Sequence, residues 1–406
     1  MESITKYRYI NFLWACLVFL MASLPVTLQI LKVVLMVLLF FVSLITRRED
    51  ALNVDRNIVM IFILWIIYAL YTSILGFLKQ NPGAFSFFKV NVIYYSILFI
   101  IVIVANNKYI FRSTIKAIYF SNWFISAYTF YLLLYSLGIR LSSTLIVLDD
   151  TAAVGLHVGY THITNTNLSM TIFTFPFLLM MYKYITESEI IKSKWLLANL
   201  VFTAAAMFMS GRRILWLVFA ISIVLFLFVG GFSIAKKVKY SFLALIIGVI
   251  GLIVLSQFYE ISFAGYLDRF LEVFSKVNEY GGDNVRYVQM SQLVKGFWEQ
   301  PIFGAGGGAV LRNYSRAAET PWIFECTYHV ILFNSGIIGS AVFIGSIITV
   351  LFQIINTRSQ YRNGVLYGFI FTLMANATNP YMTASFDFWI FLFIPVLYIN
   401  YQNQQS

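Results

Sequence analysis

Long apolar runs separated by short polar connectors make up most of this sequence. A helix needs roughly 20 apolar residues to cross a bilayer, and the pattern predicts about twelve such helices. Their approximate bounds are 9–25, 28–46, 57–78, 88–105, 115–138, 167–185, 195–210, 213–231, 240–258, 327–355, 362–378 and 384–400. The pattern therefore predicts an all-α polytopic membrane protein, with residues 1–406 forming a single integral membrane domain.

One connector, residues 258–326 between predicted spans nine and ten, is long enough to form a large loop outside the membrane. We expect this loop to be mostly helical. Asp283 or Asn284 would cap a helix that begins near Val285. Apolar side chains then recur at helical spacing up to Trp298 and predict one apolar face. Pro301 would end that helix, and the following FGAGGGA sequence predicts a flexible turn.

The end of the same loop predicts a second helix. Thr320–Pro321 resembles a helix start, because proline is favoured at the first helical position. We expect this helix to continue unbroken into span ten. Glu325 and His329 would then lie one turn apart on the same face.

The basic residues are unevenly divided between alternate connectors. The N-terminus and five connectors on its side hold 16 of the 28 lysines and arginines. Basic connectors stay on the cytoplasmic side, which predicts that both termini are cytoplasmic and that loop 258–326 is extracytoplasmic. The loop itself is slightly acidic, so the net charge of +11 reflects the inner face and its anionic lipids. We expect no nucleic-acid partner.

The composition agrees with a membrane protein. Sixty per cent of the residues are hydrophobic, only 11% are charged and the mean hydropathy is +0.81, whereas soluble domains carry about 25% charged residues. The two cysteines, Cys16 and Cys326, imply neither a disulfide framework nor a zinc site. With three histidines in the whole chain, we expect no metal site and no cofactor.

His329 is the first candidate for chemistry. A titratable side chain at the membrane boundary is costly unless it is used or paired, and a neutral imidazole is suited to proton abstraction. Glu325, four residues earlier, could orient the ring. The alternative is a histidine that caps a helix at the interface.

Three arginines are candidates for binding a diphosphate. Arg212 and Arg213 follow Gly211 in a predicted outer connector, and a guanidinium group binds phosphate through two parallel hydrogen bonds. Snorkelling to ordinary lipid phosphates is the alternative for this pair. Arg286 lies near a predicted helix N-terminus, which favours anions, although a lone arginine in a loop is more often a solvated surface residue.

Polar residues before predicted span six are candidates for binding a sugar. His162, Asn165 and Asn167 lie within GLHVGYTHITNTNLSM (155–170). Imidazole and amide groups can hydrogen-bond to sugar hydroxyls. Polar loop ends are also common in membrane proteins that bind no sugar, so both interpretations stay open.

These landmarks, taken in order, resemble the superfamily of O-antigen polymerases and O-antigen ligases. THITNTNLSMTIFTFPFLL (161–179) is similar to the family's N-P-N-x-L-A opening of a span, with Asn167 at the second asparagine and Thr166 in place of the proline. SGRRILW (210–216) resembles S-x-S-R-x-x-W, with Arg213 at the family arginine and Arg212 at a serine. VRYVQMSQLVKGFWEQPIFGAGGGA (285–309) places Arg286 at a second family arginine. YHVILFNSGIIG (328–339) places His329 at the family histidine.

The resemblance implies a metal-independent glycosyltransferase of the bacterial inner membrane. Its donor and acceptor would be oligosaccharides linked to undecaprenyl diphosphate, and a chain-length regulator protein would be a further partner. His329 and Glu325 would be catalytic, Arg213, Arg286 and Arg212 would bind diphosphate, and membrane lipids would surround the chain. Family ligases usually carry asparagine after the histidine, where this chain has Val330, which favours the polymerase.

Two alternatives stay open from the sequence. A ligase would keep the donor and transfer the glycan to lipid A–core. A flippase or transporter for lipid-linked sugars would more naturally carry ionisable groups deep within its spans. Lys32 is the clearest such residue, and Asp387 lies near the outer end of the last predicted span.

Overall fold

The computed structural model describes residues 7–46, 55–136, 153–157, 160–164, 166–229, 282–315, 317–381 and 386–403, with the isolated positions 235, 238, 242 and 265. The first helices are α1 Arg8–Ser23, α2 Gln29–Thr46, α3 Arg56–Leu78, α4 Ala84–Phe88, a π-helical segment Lys89–Tyr94, α5 Tyr95–Ala105 and α6 Ile110–Ser136. Two strands follow, β1 Ala153–His157 and β2 Tyr160–Thr164. The remaining helices are α7 Thr166–Ser169, α8 Thr171–Met180, α9 Tyr182–Glu187, α10 Ser193–Met209, α11 Arg213–Val229, α12 Gly282–Glu299, α13 Thr327–Asn356, α14 Arg362–Asn376, a 3₁₀ segment Phe386–Trp389 and α15 Ile390–Asn403.

The protein is a helical membrane protein. Within the described part of the chain, five helical stretches are long and apolar enough to cross a membrane: Gln29–Thr46, Arg56–Leu78, Ala84–Ala105, Ile110–Tyr135 and Thr327–Asn356. Helices cover eleven of the twelve apolar runs that we predicted as spans, and the run at 240–258 lies outside the described residues except for position 242. The full set of twelve spans stays a prediction.

A short β-hairpin interrupts this helical architecture. Strands β1 and β2 pair antiparallel, with Ala153 opposite Thr164 and His157 opposite Tyr160. The backbone N–H of Ile163 also donates to the carbonyl of Ser210, at 2.8 Å. The hairpin is therefore attached to the turn between α10 and α11. The apolar pattern did not predict it.

The last helix lies at the centre of the bundle. Residues 387–400 are buried, and α15 contacts α1, α3, α5, α13 and α14. Its sequence is apolar on every side, which is typical of a helix surrounded by other helices. The 3₁₀ segment before it carries Trp389, whose ring contacts Trp65 of α3 and Tyr95 of α5 at centroid distances of 4.6 and 5.2 Å.

A buried ion pair joins α2 to the 3₁₀ segment before α15. Lys32 Nζ lies 2.6 Å from Asp387 Oδ1, and both side chains are 0% exposed. Lys32 also donates to the carbonyl of Leu24, and Asp387 Oδ2 accepts from Val26 N–H and from Gln29 Nε2. The carboxylate thereby holds the tight turn between α1 and α2, in which Val26 has a φ of 71°.

The described part of the 258–326 loop differs from the sequence prediction. Helix α12 begins at Gly282, so Asp283 and Asn284 lie within the helix and the predicted cap is wrong. The described residues between 300 and 326 form turns, bends, irregular segments and one isolated bridge, not helix. Helix α13 begins only at Thr327 and is broken at Gly336, where φ is 59° and ψ is −164°. The prediction of an unbroken helix from Thr320 is therefore wrong.

The break in α13 has a structural cause, because a chain segment inserts beside it. Interrupting a helix leaves N–H and C=O groups that need new partners. Ile337 N–H donates to the carbonyl of Pro301, and Ile338 N–H donates to that of Ile302. In the other direction, Ala305 N–H donates to the carbonyl of Phe333. The N–H of the next residue, Gly306, donates to the carbonyl of Asn334, and both distances are 2.8 Å.

The glycine-rich turn, residues 303–309, which the sequence predicted as flexible, is hydrogen-bonded and closely packed. Gly307 N–H donates to the carbonyl of Thr72 in α3 at 2.7 Å, and Asn81 Nδ2 donates to the carbonyl of Ala305. A Cβ on Gly308, where φ is +70°, would lie 2.0 Å from the backbone of Gly83. Glycine is required here because the turn packs backbone to backbone against α3 and the 79–83 connector.

Candidate functional site

The candidate site lies at one end of the bundle, which we call the loop end. It is formed by connectors 79–83, 210–212, 300–326 and 377–381, which contact one another or the helix ends beside them. The positive-inside pattern predicts that this end is extracytoplasmic. All four sequence landmarks lie at or beside the loop end.

The first landmark is the start of α7. Asn167 is fully buried in this helix, so it packs beneath the loop end, and its contact with a sugar stays a prediction. His162 lies in β2, paired with Gly155 of β1, and Asn165 lies outside the described residues. Ser169, two residues after Asn167, is a residue of this motif whose side chain contacts the second landmark.

The second landmark is the turn that carries the two arginines. Gly211 has a φ of 64°, and the hydroxyl of Ser210 accepts from Arg212 N–H at 3.1 Å. The side chain of Arg212 then reaches across the loop end. Its Nη1 donates to Ser169 Oγ at 2.8 Å, and its Nη2 donates to the hydroxyl of Tyr381 at 3.1 Å. Arg213 is the first residue of α11.

The third landmark is the first half of α12. Arg286 Nε donates to Glu325 Oε2 at 2.8 Å. Gln289, one turn further along α12, accepts from the backbone N–H of Glu325 through its Oε1 at 3.0 Å. Two side chains of α12 therefore hold Glu325, one through its carboxylate and one through its backbone.

This arrangement places Glu325 differently from the sequence prediction. Because α13 begins at Thr327, Glu325 precedes the helix and is not one helical turn before His329 on a shared face. Its carboxylate accepts a hydrogen bond from Nε of Arg286. The predicted shared helical face is therefore wrong, and an orienting role of Glu325 towards His329 stays a prediction.

The fourth landmark is the first turn of α13. Thr327 Oγ1 donates to the carbonyl of Asn379 at 2.9 Å, and the hydroxyl of Tyr328 donates to that of Leu373 at 2.6 Å. These bonds fasten the turn to the end of α14. His329 follows directly, half-buried, and its Nδ1 has no hydrogen-bond partner among the residues that the structure describes.

The four landmarks are connected by a short series of contacts. Arg286 binds Glu325, which is two residues from Thr327. Thr327 binds Asn379, which is two residues from Tyr381, and Tyr381 accepts from Arg212. Arg212 binds Ser169 in the helix that contains Asn167. The fold therefore gathers the landmarks around the first turn of α13, although they are spread over more than 160 residues of sequence.

The charges at this site are mostly positive. Three guanidinium groups come from Arg212, Arg213 and Arg286. Among the described contacts, one carboxylate, that of Glu325, accepts a hydrogen bond from one of them, Arg286. Such an arrangement favours an anion with several oxygen atoms, since charge-assisted hydrogen bonds from arginine are short and directional.

Sequence reasoning missed three contributors to the site: Ser169, Gln289 and Tyr381. Ser169 and Gln289 lie within the landmark motifs, two and three residues from Asn167 and Arg286. A helical projection of α12 would have placed Gln289 on the same side as Arg286. Tyr381 lies in a connector with no motif, and only its contact with Arg212 identifies it.

Comparisons with known proteins identify no relative: no family model matches the sequence, and no curated protein is similar to it. The fold and the site define a membrane-embedded helical protein with three arginines among the landmarks at one end of its bundle.

Proposed function

We propose that this protein is a surface-polysaccharide (O-antigen) polymerase of the bacterial inner membrane. It would transfer a glycan from undecaprenyl diphosphate onto an incoming lipid-linked repeat unit. The observation that supports this proposal is the convergence of the four landmarks around the first turn of α13. In the proposed topology, twelve spans leave both termini in the cytoplasm and the loop end in the periplasm.

The proposed reaction is a displacement at a sugar carbon. A hydroxyl oxygen of the acceptor forms a bond to the anomeric carbon of the donor, the bond from that carbon to the diphosphate oxygen breaks, and the hydroxyl proton passes to a base. The arginines stabilise the negative charge of the departing diphosphate. Because the diphosphate is already a good leaving group, the reaction needs neither a nucleotide nor a metal ion.

His329 is the proposed base. An imidazole nitrogen with no hydrogen-bond partner can accept a proton, as long as the ring is neutral, and Nδ1 of His329 has none in the described part of the chain. Glu325 contributes indirectly by holding Arg286. The other proposed roles are diphosphate binding by Arg212, Arg213 and Arg286 and sugar binding around Asn167.

The glycan ladder of a deletion strain tests this proposal. A polymerase deletion leaves single repeat units attached to the lipid anchor, which a gel of extracted lipopolysaccharide or capsule shows as one short band. Complementation with the wild-type gene restores the ladder, and complementation with His329→Ala at an equal protein level does not. An unchanged ladder in the deletion strain would rule out the polymerase.

The ligase alternative predicts a different product of the same experiment. Loss of a ligase abolishes glycan attachment and leaves long chains on undecaprenyl diphosphate. Val330, where ligases usually carry asparagine, favours the polymerase.

The transporter alternative draws on one specific observation, the buried pair of Lys32 and Asp387. Ionisable groups inside a membrane often mark ion pathways. Here, however, the described contacts of the carboxylate include hydrogen bonds from Val26 N–H, Gln29 Nε2 and Lys32, and those of the ammonium group include one to the carbonyl of Leu24. A pair satisfied in this way is suited to holding the α1–α2 turn. The geometry therefore favours a structural role over ion coupling.

A further inference from the structure

A groove of about 380 Å³ runs between α2 and α5 on the side of the bundle. Its floor is buried and its rims are exposed. The floor is formed by Met36, Leu98 and Ile101, which are 2–5% exposed, and the rims by Val33, Val37, Phe41, Ile97 and Ile100, which are 42–56% exposed. The groove therefore opens sideways, where a membrane would lie.

The lining of this groove accepts only hydrocarbon. All ten lining residues are apolar or aromatic, and the wall exposes no polar surface. A polar ligand group placed there would lose its hydrogen bonds to water without replacement. Helix α2 and the Ala84–Ala105 stretch are both long and apolar enough to cross a membrane, so the groove between them would face the hydrocarbon of a bilayer.

A lysine, Lys89, precedes one part of the chain that lines the groove. Tyr94 lines the groove, and Lys89 is the first residue of the π-helical segment that ends at Tyr94. Five residues of an ordinary α-helix would place Lys89 about 140° around the axis from Tyr94. In a π-helix, residues five apart are bonded across successive turns. The π segment thus places Lys89 one turn from Tyr94, towards the loop end.

Lys89 has the surroundings of a ligand-binding residue. It is half-buried, and it makes no hydrogen bond or ion pair with any residue in the described ranges. It also lies at the end of the bundle where we expect few basic residues. An ammonium group in this position complements a phosphate at the membrane surface. π-Helical turns occur frequently at functional sites, which agrees with this interpretation.

The groove is connected to the candidate site through the glycine-rich turn. Phe87, two residues before Lys89, packs against Gly307, where an added Cβ would lie 2.7 Å from its ring. The same turn bonds to α13 through Gly306 N–H and the carbonyl of Asn334. The glycine-rich turn therefore contacts both the segment that carries Lys89 and the first part of α13.

We propose that the α2–α5 groove binds the hydrocarbon chain of an isoprenoid phosphate, with its phosphate at Lys89. This inference rests on the proposed function, because a polymerase joins two lipid-linked glycans and needs a place for each lipid. The arginine cluster serves one lipid diphosphate, and the groove serves the other. A single groove of about 380 Å³ suits a lipid with one chain better than a glycerophospholipid with two.

The test is photo-crosslinking of the purified full-length protein in phosphatidylethanolamine nanodiscs. The probe is undecaprenyl phosphate with a diazirine near the middle of its chain, and labelled peptides are identified by mass spectrometry. We expect labelling on α2 and α5. Val37→Trp and, from the opposite wall, Ile97→Trp fill the groove and should each lower this labelling about tenfold. Lys89→Met should lower it about fivefold, which corresponds to about 1 kcal/mol at the membrane surface.

Matched controls separate this site from general lipid contact. Ile348→Trp changes an exposed residue of α13 outside the groove, and Lys192→Met removes an exposed lysine near the other end of the bundle. Neither should change the labelling. A phosphatidylglycerol probe with the same diazirine should label the groove weakly. Equal labelling by both lipids, or labelling that the groove variants leave unchanged, would overturn the proposal and indicate ordinary bilayer lipid.

The binding assay is independent of polymer formation. If the deletion strain keeps a normal ladder while the groove still selects the isoprenoid probe, the proposed function fails and the lipid site stands. If the deletion strain shows single repeat units but the groove does not select the probe, the polymerase stands and this inference fails.

Discussion

Replacing Gly76 by alanine tests whether the glycine-rich turn is as tightly packed as the structure indicates. Gly76 lies near the end of α3, where the turn crosses the helix. Two effects of opposite sign compete. Alanine in a helix interior is favoured over glycine by about 1 kcal/mol, whereas a Cβ at this position would lie 2.3 Å from the carbonyl oxygen of Gly307.

The steric effect should exceed the gain in helix propensity. Side-chain Cβ atoms essentially never approach another heavy atom within 3.0 Å, so the turn must move by at least 0.7 Å. The bond from Gly307 N–H to the carbonyl of Thr72 is 2.7 Å long, and such a shift would weaken or break it. A lost bond costs about 1 kcal/mol and overpacking costs about 1–3 kcal/mol. We expect a net destabilisation of about 1–3 kcal/mol.

The assay is reversible unfolding in mixed micelles with increasing dodecyl sulfate, followed by circular dichroism. Gly345→Ala in α13 is the matched control, because it is the same substitution in a helix and its Cβ meets nothing within 4 Å. Gly345→Ala should be neutral or stabilising by up to about 1 kcal/mol. If Gly76→Ala were as stable as Gly345→Ala, the described packing of the turn would be incorrect.

Two further predictions concern contacts that hold the bundle and the site. Lys32→Met leaves a buried carboxylate without its cation, which should cost about 3–5 kcal/mol of stability. We expect less folded protein in membranes for this variant, and Lys32→Met combined with Asp387→Asn should recover most of the folded protein. If the double variant recovered none, the pairing would be contradicted. Thr327→Val removes the buried hydrogen bond to the 377–381 connector, which should lower the stability by about 1–3 kcal/mol. This variant should also make much less polymer. Thr349→Val, which loses only a bond to the preceding turn of α13, is the control and should leave the glycan ladder unchanged.

The sequence predicted the helices well because each is specified by its own residues. Apolar runs of sufficient length are local features, so the bounds of α2, predicted at 28–46, differ from Gln29–Thr46 by a single residue at one end. The helix after Asp283 was also predicted, but its start was misplaced by about three residues, since polar residues near a helix start can act as a cap or lie within the first turn.

The same reasoning failed where distant segments decide the backbone. Local preference favours a helix from Thr320 through Gly336, and nothing nearby in sequence opposes it. The break at Gly336 depends on bonds to residues 301–306, some 30 residues earlier. The glycine-rich turn was interpreted as flexible for the same reason, because glycine lowers local order unless a partner backbone packs against it.

The candidate site shows the same division. Its residue types could be chosen from the sequence, because arginine and histidine near a membrane boundary are costly unless they are used. The partners of these residues could not be chosen from the sequence. Glu325 was assigned to His329 from a spacing of four residues, but the tertiary structure brings Arg286 of another helix to its carboxylate, at 2.8 Å.

By itself, the sequence determined the membrane class of this protein, most helix bounds and the identity of its candidate polar residues. Those properties follow from the free energy of placing each side chain in a bilayer, which depends mainly on the residue and its near neighbours. Only the tertiary structure decided which landmarks meet, where α13 breaks, and that Lys32 and Asp387 form a buried pair. Hydrogen bonds and ion pairs depend on distances of about 3 Å, and packing of distant segments sets those distances.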